Sequence, residues 1–300
     1  MALPLAVWPA ANGAEPSAII LGLHGFGDYR NAFEEPAKIW SRAGITTYAY
    51  DQRGFGASPT RDRWAGTDTL VDDAKAMTAL LRERYPGVPI YVAGESMGGA
   101  VALVAADRGL AAEGLILAAP AVRSRKSLGQ FVTAGVWFFT HTMPWMPVGP
   151  TSIDFQPTDN PKTIEKLRRD PLMLRNPRFD MGAGLLDLMD AACAAAENVH
   201  MPYILLHGLG DRIVPSGPVR DTIELMPRRA DSKLAFYGDG YHLLLRDKEG
   251  PIVAVDIVAW IEDHEAPLPS GADAGTAQPK MAALWGTRHA LPQTGVSRSE

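Results

Sequence analysis

Cysteine is nearly missing from this chain: Cys193 is the only one among 300 residues. No internal disulfide can form, and no thiolate-built metal site can exist. Cys193 lies in the alanine-rich run 191–196, where a small apolar packing role is expected rather than a reactive thiol. Runs of like charge are missing too. Charged residues are 21% of the chain, mixed in sign, with a net charge of -5, so there is no basic footprint for nucleic acid. The start, MALPLAVWPAANG, has no basic segment followed by a long apolar one and does not read as a signal peptide. Residues 3–8 read as a strand that begins almost at once, as though an earlier strand stood before it, which leaves room for an upstream export or anchoring segment. As it stands, the sequence reads as soluble and cytoplasmic. No His/Asp/Glu cluster has metal-ligand spacing, and GFGDYR lacks the lysine of a phosphate-binding loop. Neither a metal nor a cofactor is expected.

What is present follows a rhythm. Hydrophobic residues are 46% of the chain, enough for a sizeable core. Apolar runs at 18–23, 46–50, 90–93 and 115–118 are bounded by Gly and Pro and suit strands buried on both faces of a parallel sheet. Between them, Asn31 can cap a helix through Ala43. Leu70, Ala74, Met77 and Leu81 recur at helical spacing within 69–85, before Pro86-Gly87 stops the helix. The βαβα order favours an α/β fold, a mostly parallel sheet flanked by helices. The rhythm halts at Pro120 and resumes at Pro202, with strands at 203–206 and 233–237 and helices at 218–226 and 251–263. A core is therefore expected over 1–120 and 201–266. Residues 121–200, helical and proline-punctuated, read as a cap inserted between late strands. Residues 267–300 lose periodicity and read as a disordered tail.

The strongest local signal is Gly94-Glu95-Ser96-Met97-Gly98-Gly99, a G-x-S-x-G between a predicted strand and a predicted helix. A serine nucleophile there must stand clear on a very tight turn, and side chains two residues either side would collide with neighbouring backbone. A serine hydroxyl is a weak nucleophile and needs a base with an orienting carboxylate. Asp211 in HGLGDRIVP and His242 in GDGYHLLL each follow a late strand, where catalytic groups gather in open α/β sheets. The other histidines fit less well. His141 and His200 precede the acid in the insertion, His24 and His207 are expected to pin turns, His264 ends the last helix, and His289 is in the tail. Asp239 is too close to His242 in sequence to approach it from the opposite side. A tetrahedral intermediate also needs backbone N–H donors. The expected pair is Met97 and Phe26, the latter from His24-Gly25-Phe26-Gly27-Asp28. Residues 51–58 read as a structural turn.

With these motifs in hand, the chain resembles the monoacylglycerol lipase and lysophospholipase branch of the α/β-hydrolases. LHGFGDY, YAYDQRGFGAS, YVAGESMGGAVAL, LHGLGDRIVP and GDGYHLLL carry the likeness, which covers roughly residues 3–263 and is weak through the insertion. The resemblance implies Ser96, Asp211 and His242 as a triad, Phe26 and Met97 N–H groups as oxyanion donors, and a helical cap over an acyl-binding tunnel.

The insertion adds its own clue, since residues 127–153 contain no Asp, Glu, Lys or Arg. A membrane span needs roughly 20 apolar residues, but Gln130, Thr133, Thr140, His141 and Thr142 dilute this run and Pro144 and Pro147 break it. Two readings stay open. One is a cap helix buried on the core. The other is a lid, with Trp137 and Phe138 facing substrate and touching a membrane or micelle surface transiently. The expected activity is hydrolysis of a carboxylic ester through an acyl-enzyme, on monoacylglycerols or other single-chain lipid esters. A short-chain esterase or thioesterase is the alternative. A non-catalytic ligand-binding member of the fold is a third reading, disfavoured because no triad residue is missing.

Overall fold

The computed structural model describes residues 1–13, 15–123, 125, 135, 138–147 and 156–273. Among them seven strands form one sheet in the order β1-β3-β2-β4-β5-β6-β7. The strands are β1 (Leu5–Trp8), β2 (Ala18–Leu23), β3 (Ile45–Tyr50), β4 (Ile90–Glu95), β5 (Gly114–Ala118), β6 (Tyr203–Gly208) and β7 (Lys233–Tyr237). Only β1 runs antiparallel, pairing Leu5 with Tyr50 at the edge; β2 to β7 are all parallel.

The apolar runs are continuous because successive residues face different layers. In β2, Ile19, Leu21 and Leu23 enter one buried cluster while Ala18 and Ile20 enter another. The same alternation sends Ile90 and Val92 of β4 to the first cluster and Tyr91 and Ala93 to the second. Helices α2 (Thr67–Arg84) and α3 (Met97–Asp107) cover the first face. Helix α1 (Glu34–Arg42) covers the second, where Trp40 packs near the closing helix (Gly250–Glu262) and its indole N–H donates to the Ala254 carbonyl at 3.1 Å. The connections after β2 and β4 thus cover opposite faces. The crevice between their carboxyl ends is the switch point where open α/β sheets place their chemistry.

Three expectations are corrected. Asn31 does not cap the first helix: the chain enters α1 through a 3-10 turn at Arg30–Phe33 that starts after Tyr29. Pro36 explains the delay, since a proline is tolerated in the first helical turn but not further in. The insertion at 121–200 is not all cap. Helix α4 (Pro161–Arg169) buries no residue, whereas α5 (Phe179–Ala195) buries Met181, Leu188, Met189, Ala192 and Ala195 in the cluster that holds α3. A methyl group on Gly184 of α5 would strike the Trp64 indole, so the approach is close. Helix α5 is therefore a core layer.

The tail, too, begins later than residue 267. Leu268 and Ala272 are buried, the Phe236 N–H donates to the Ala272 carbonyl at 3.1 Å, and the Ser270 N–H donates to Asp256 at 3.0 Å. This segment covers the exposed edge of β7, an edge that would otherwise offer unpaired backbone groups. Beyond Asp273 the expected tail lies outside the described residues. Two further helices follow, α6 (Ser216–Leu225) between β6 and β7 and α7, the closing helix (Gly250–Glu262). Among the described residues no helix is long and apolar enough to cross a membrane.

Candidate active site

Ser96 sits between β4 and α3 with φ 53 and ψ -114, a backbone conformation that a side-chain-bearing residue rarely adopts. The turn is fixed from both sides. The Ser96 N–H donates to the Ala118 carbonyl at 3.0 Å, and the Ser96 carbonyl accepts from Gly99 at 2.9 Å and Ala121 at 2.9 Å. This leaves the hydroxyl partly exposed at the sheet's carboxyl edge while Met97 beside it is buried. Met97 opens α3, where backbone N–H groups have no acceptor within the helix and the helix dipole favours negative charge.

The two other predicted residues converge on that hydroxyl. The Ser96 hydroxyl donates to His242 Nε2 at 2.9 Å, and His242 Nδ1 donates to Asp211 Oδ2 at 2.7 Å. Both partners are buried, His242 at 4% and Asp211 at 7% exposure. The other Asp211 oxygen is held by the N–H groups of Ile213 at 2.8 Å and Val214 at 2.9 Å, so the carboxylate cannot swing away from the imidazole. Asp239, the rival acid, is not the residue brought to His242.

The loop after β2 lies against this cluster: a methyl group on Gly25 would stand 3.4 Å from Ser96 Cβ. Phe26 is half-buried and meets Phe55 edge-on, with ring centroids 5.3 Å apart. His24 pins the loop. Its Nδ1 donates to the Gly25 carbonyl at 2.8 Å, its Nε2 accepts from the Gln52 N–H at 2.9 Å, and the Gln52 amide donates to the His24 carbonyl at 2.8 Å. Burial pushes the His24 pKa down, with the Gly25 bond and the charges of Asp28 and Asp51 partly offsetting it, which suits this neutral tautomer. The 51–58 segment is structural as expected: Asp51 binds Arg30 at 2.5 Å and the Ala57 N–H at 2.7 Å.

Trp137, one of the two cap residues singled out in the sequence, lies outside the described residues. Phe138 is described. It is 50% exposed and contacts the Phe139 ring, which in turn stacks on Phe179 at 4.7 Å. Phe138 is thus at the surface. A cavity of about 660 Å³ is lined by Ile164, Leu167, Met173 and Leu174, by the polar Gln156, Arg168 and Arg175, by Pro157, and by Arg212 from the loop of Asp211. Two of its lining segments are tied to loops of the site. The Leu174 N–H donates to the Gly27 carbonyl at 2.8 Å, Arg212 adjoins Asp211, and the Leu243 N–H donates to the Pro157 carbonyl at 2.8 Å.

Sequence reasoning missed Glu95, Asp28 and Arg246. Arg246, 8% exposed, places Nη2 2.6 Å from Asp28 Oδ2 and 2.6 Å from Glu95 Oε2. Burial opposes the guanidinium charge, yet the two carboxylates outweigh it and hold the Arg246 pKa above its ordinary value. Burial raises the Glu95 pKa, with Arg246 acting against it. The overlooked signal was Glu95 itself: a carboxylate at the end of a strand buried on both faces demands a cation.

A serine whose proton can pass to an imidazole held by a fixed carboxylate, on a strained turn at a helix start, can attack a carbonyl carbon. Comparison with known proteins agrees with that chemistry. Residues 14–249 match the family model Hydrolase_4, described as serine aminopeptidase, S33. The chain belongs to this family. It is 29% identical to the monoglyceride lipase of Homo sapiens over 272 residues, covering 88% of this chain and 86% of that protein. It is 24% identical to the monoacylglycerol lipase of Mycolicibacterium smegmatis, covering 83% of this chain and 90% of that protein. Among solved structures, the monoacylglycerol lipase of Paleococcus ferrophilus superposes with a TM-score of 0.75 at 22% identity, over 88% of this chain and 100% of that one. A soluble variant of the Saccharomyces cerevisiae monoglyceride lipase does so with a TM-score of 0.73 at 21% identity, over 87% of this chain and 92% of that one. These likenesses show the α/β-hydrolase fold.

Proposed function

We propose that this protein hydrolyses carboxylic esters through an acyl-enzyme on Ser96, with monoacylglycerols or other single-chain lipid esters as substrates. The observation that carries the reading is the unbroken line from Ser96 Oγ through His242 to Asp211, with bonds of 2.9 Å and 2.7 Å. In this reading His242 Nε2 takes the hydroxyl proton as Ser96 Oγ attacks the ester carbonyl. Asp211 keeps the imidazole in the tautomer that offers Nε2 and stabilises the imidazolium that forms. The N–H groups of Met97 and Phe26 receive the developing oxyanion. His242 then returns the proton to the departing alcohol. Water, activated by the same imidazole, attacks the acyl-Ser96 ester and releases the carboxylic acid.

The preference for single-chain lipid esters is supported by the monoglyceride lipases among the relatives. The reading includes a cytoplasmic enzyme that meets lipid transiently at a membrane or micelle surface, using exposed Phe138 and Trp145 on the cap. The deciding experiment pairs a fluorophosphonate probe with turnover of p-nitrophenyl esters from acetate to palmitate and of monoacylglycerols. Labelling at Ser96, with monoacylglycerol the best substrate, is expected. Labelling at another serine removes the nucleophile assignment, and preference for acetate or butyrate over every long-chain ester removes the lipid assignment.

A further inference from the structure

We propose that Arg246 is a positioning residue for this reaction: its buried guanidinium fastens together the loops that carry the nucleophile, the base and the oxyanion donor, and its main chain fastens the cap stem to the same point. The proposal rests on the acyl-enzyme reading of Ser96. Three segments distant in sequence meet on Arg246. Asp28, bound at 2.6 Å, closes the loop that contains Phe26, and its other oxygen accepts the Tyr29 N–H at 2.8 Å. Glu95, also bound at 2.6 Å, is the last residue of β4 and directly precedes Ser96. Arg246 itself follows His242 on the 3-10 turn Leu244–Arg246, and its N–H donates to the Leu243 carbonyl at 2.8 Å.

The main chain of Arg246 faces the cap. Its carbonyl accepts from the Thr163 hydroxyl at 2.9 Å and from the Asn160 amide at 3.2 Å, both at the start of α4. One residue thus joins four segments.

Stability alone does not explain this arrangement. A buried ionic triad costs desolvation that its own attraction barely repays, and well-packed apolar residues commonly hold such a site as firmly. What apolar packing lacks is direction. Charge-assisted hydrogen bonds fix distance and angle together. Attack of Ser96 and capture of the oxyanion depend on the mutual placement of these same loops, and a misplacement of about 1 Å costs about 10²-fold in rate.

The test uses Arg246→Gln and Arg246→Lys with the near-isosteric Asp28→Asn and Glu95→Gln. Fluorophosphonate titration taken to its end point counts competent sites, and kcat and KM for p-nitrophenyl butyrate are then expressed per titrated site. Affinity for a trifluoromethyl ketone, which forms a hemiketal with a serine nucleophile, is measured alongside. Arg246→Gln is expected to lose about 10²-fold in kcat per site with KM within about threefold of wild type. Ketone affinity should fall in step, and Arg246→Lys should recover only part of the loss, because the lysine ammonium stops short of the Nη2 position and has no planar group to fix its angle. Asp28→Asn and Glu95→Gln should each lose less than Arg246→Gln. Wild-type kcat per site in Arg246→Gln, even with a lowered Tm, overturns the proposal, as does a loss confined to KM. Should the Arg246 variants not fold, Asp28→Asn and Glu95→Gln decide: wild-type kcat and ketone affinity per site in both overturn it. Failure of the acyl-enzyme reading looks different, because the wild type itself would then not be labelled at Ser96.

Discussion

Gly94 and Gly98 face one another across the turn that lifts Ser96: a methyl group on Gly94 would overlap the Gly98 carbonyl, and one on Gly98 would overlap the carbonyl of Leu23. The obstacles are backbone, not the ends of flexible side chains, so the turn cannot yield without moving β2 or α3. Gly98→Ala is therefore expected to cost about 3 kcal/mol or more, the upper range for overpacking a dense interior. Urea unfolding measures it. A loss below about 1 kcal/mol would mean that the turn relaxes.

Ser96→Ala removes only a hydroxyl. Alanine meets the same backbone strain at φ 53, so the fold is expected to persist with an unchanged unfolding midpoint. Turnover per enzyme should drop by about 10⁴–10⁶. A purified variant retaining a tenth of wild-type turnover would remove Ser96 from the reaction.

His207 makes stability depend on pH. It is fully buried, bonded to the Ser216 hydroxyl at 3.1 Å, and burial lowers its pKa from 6.5 to about 4. A depressed folded-state value means that the unfolded chain binds the proton more readily. The stabilising contribution is complete above pH 6.5 and is lost as pH falls from there toward about 4. By linkage the loss at pH 5 is roughly 2 kcal/mol. His207→Gln, which cannot take up the proton, is expected to flatten this part of the stability curve, as measured by urea unfolding at pH 7.5 and pH 5. An equally steep fall in the variant would assign the dependence to other groups.

Phe138 separates the two readings of the uncharged cap stretch. Half exposed, it has little burial to lose, so Phe138→Asp should change stability by no more than about 0.5 kcal/mol. Hydrolysis of a micellar long-chain monoacylglycerol should fall sharply, while hydrolysis of a soluble butyrate ester stays near wild type. Equal loss on both substrates with a lowered Tm would make Phe138 a packing residue instead.

The parts of the molecule that were legible in the sequence are those fixed by local chemistry. The turn at Ser96 demands glycines at set offsets, and strands buried on both faces must be continuously apolar, so residues 18–23 and 90–93 declared themselves. Asp211 and His242 were found from chain order and from their place after late strands. Helix α5 was misassigned because an apolar helix looks the same in sequence whether it lines a cap or the sheet. Arg246 was invisible for another reason. HLLLRDKEG reads as an ordinary surface turn until Asp28, 218 residues away, and Glu95, 151 residues away, are brought to the guanidinium.

The hydrogen bonds that Asn160 and Thr163 donate to the loop after His242, and the one that the Pro157 carbonyl accepts from it, bear on how this enzyme could be re-engineered. A lid from another hydrolase, grafted at residues 121 and 178, would arrive without the groups that hold Leu243 and Arg246. The imidazole would then lose part of its scaffold even though no active-site codon had been changed. Chimaeras should exchange residues 156–163 and 243–247 as one unit, so that the insertion and the loop after His242 are inherited together.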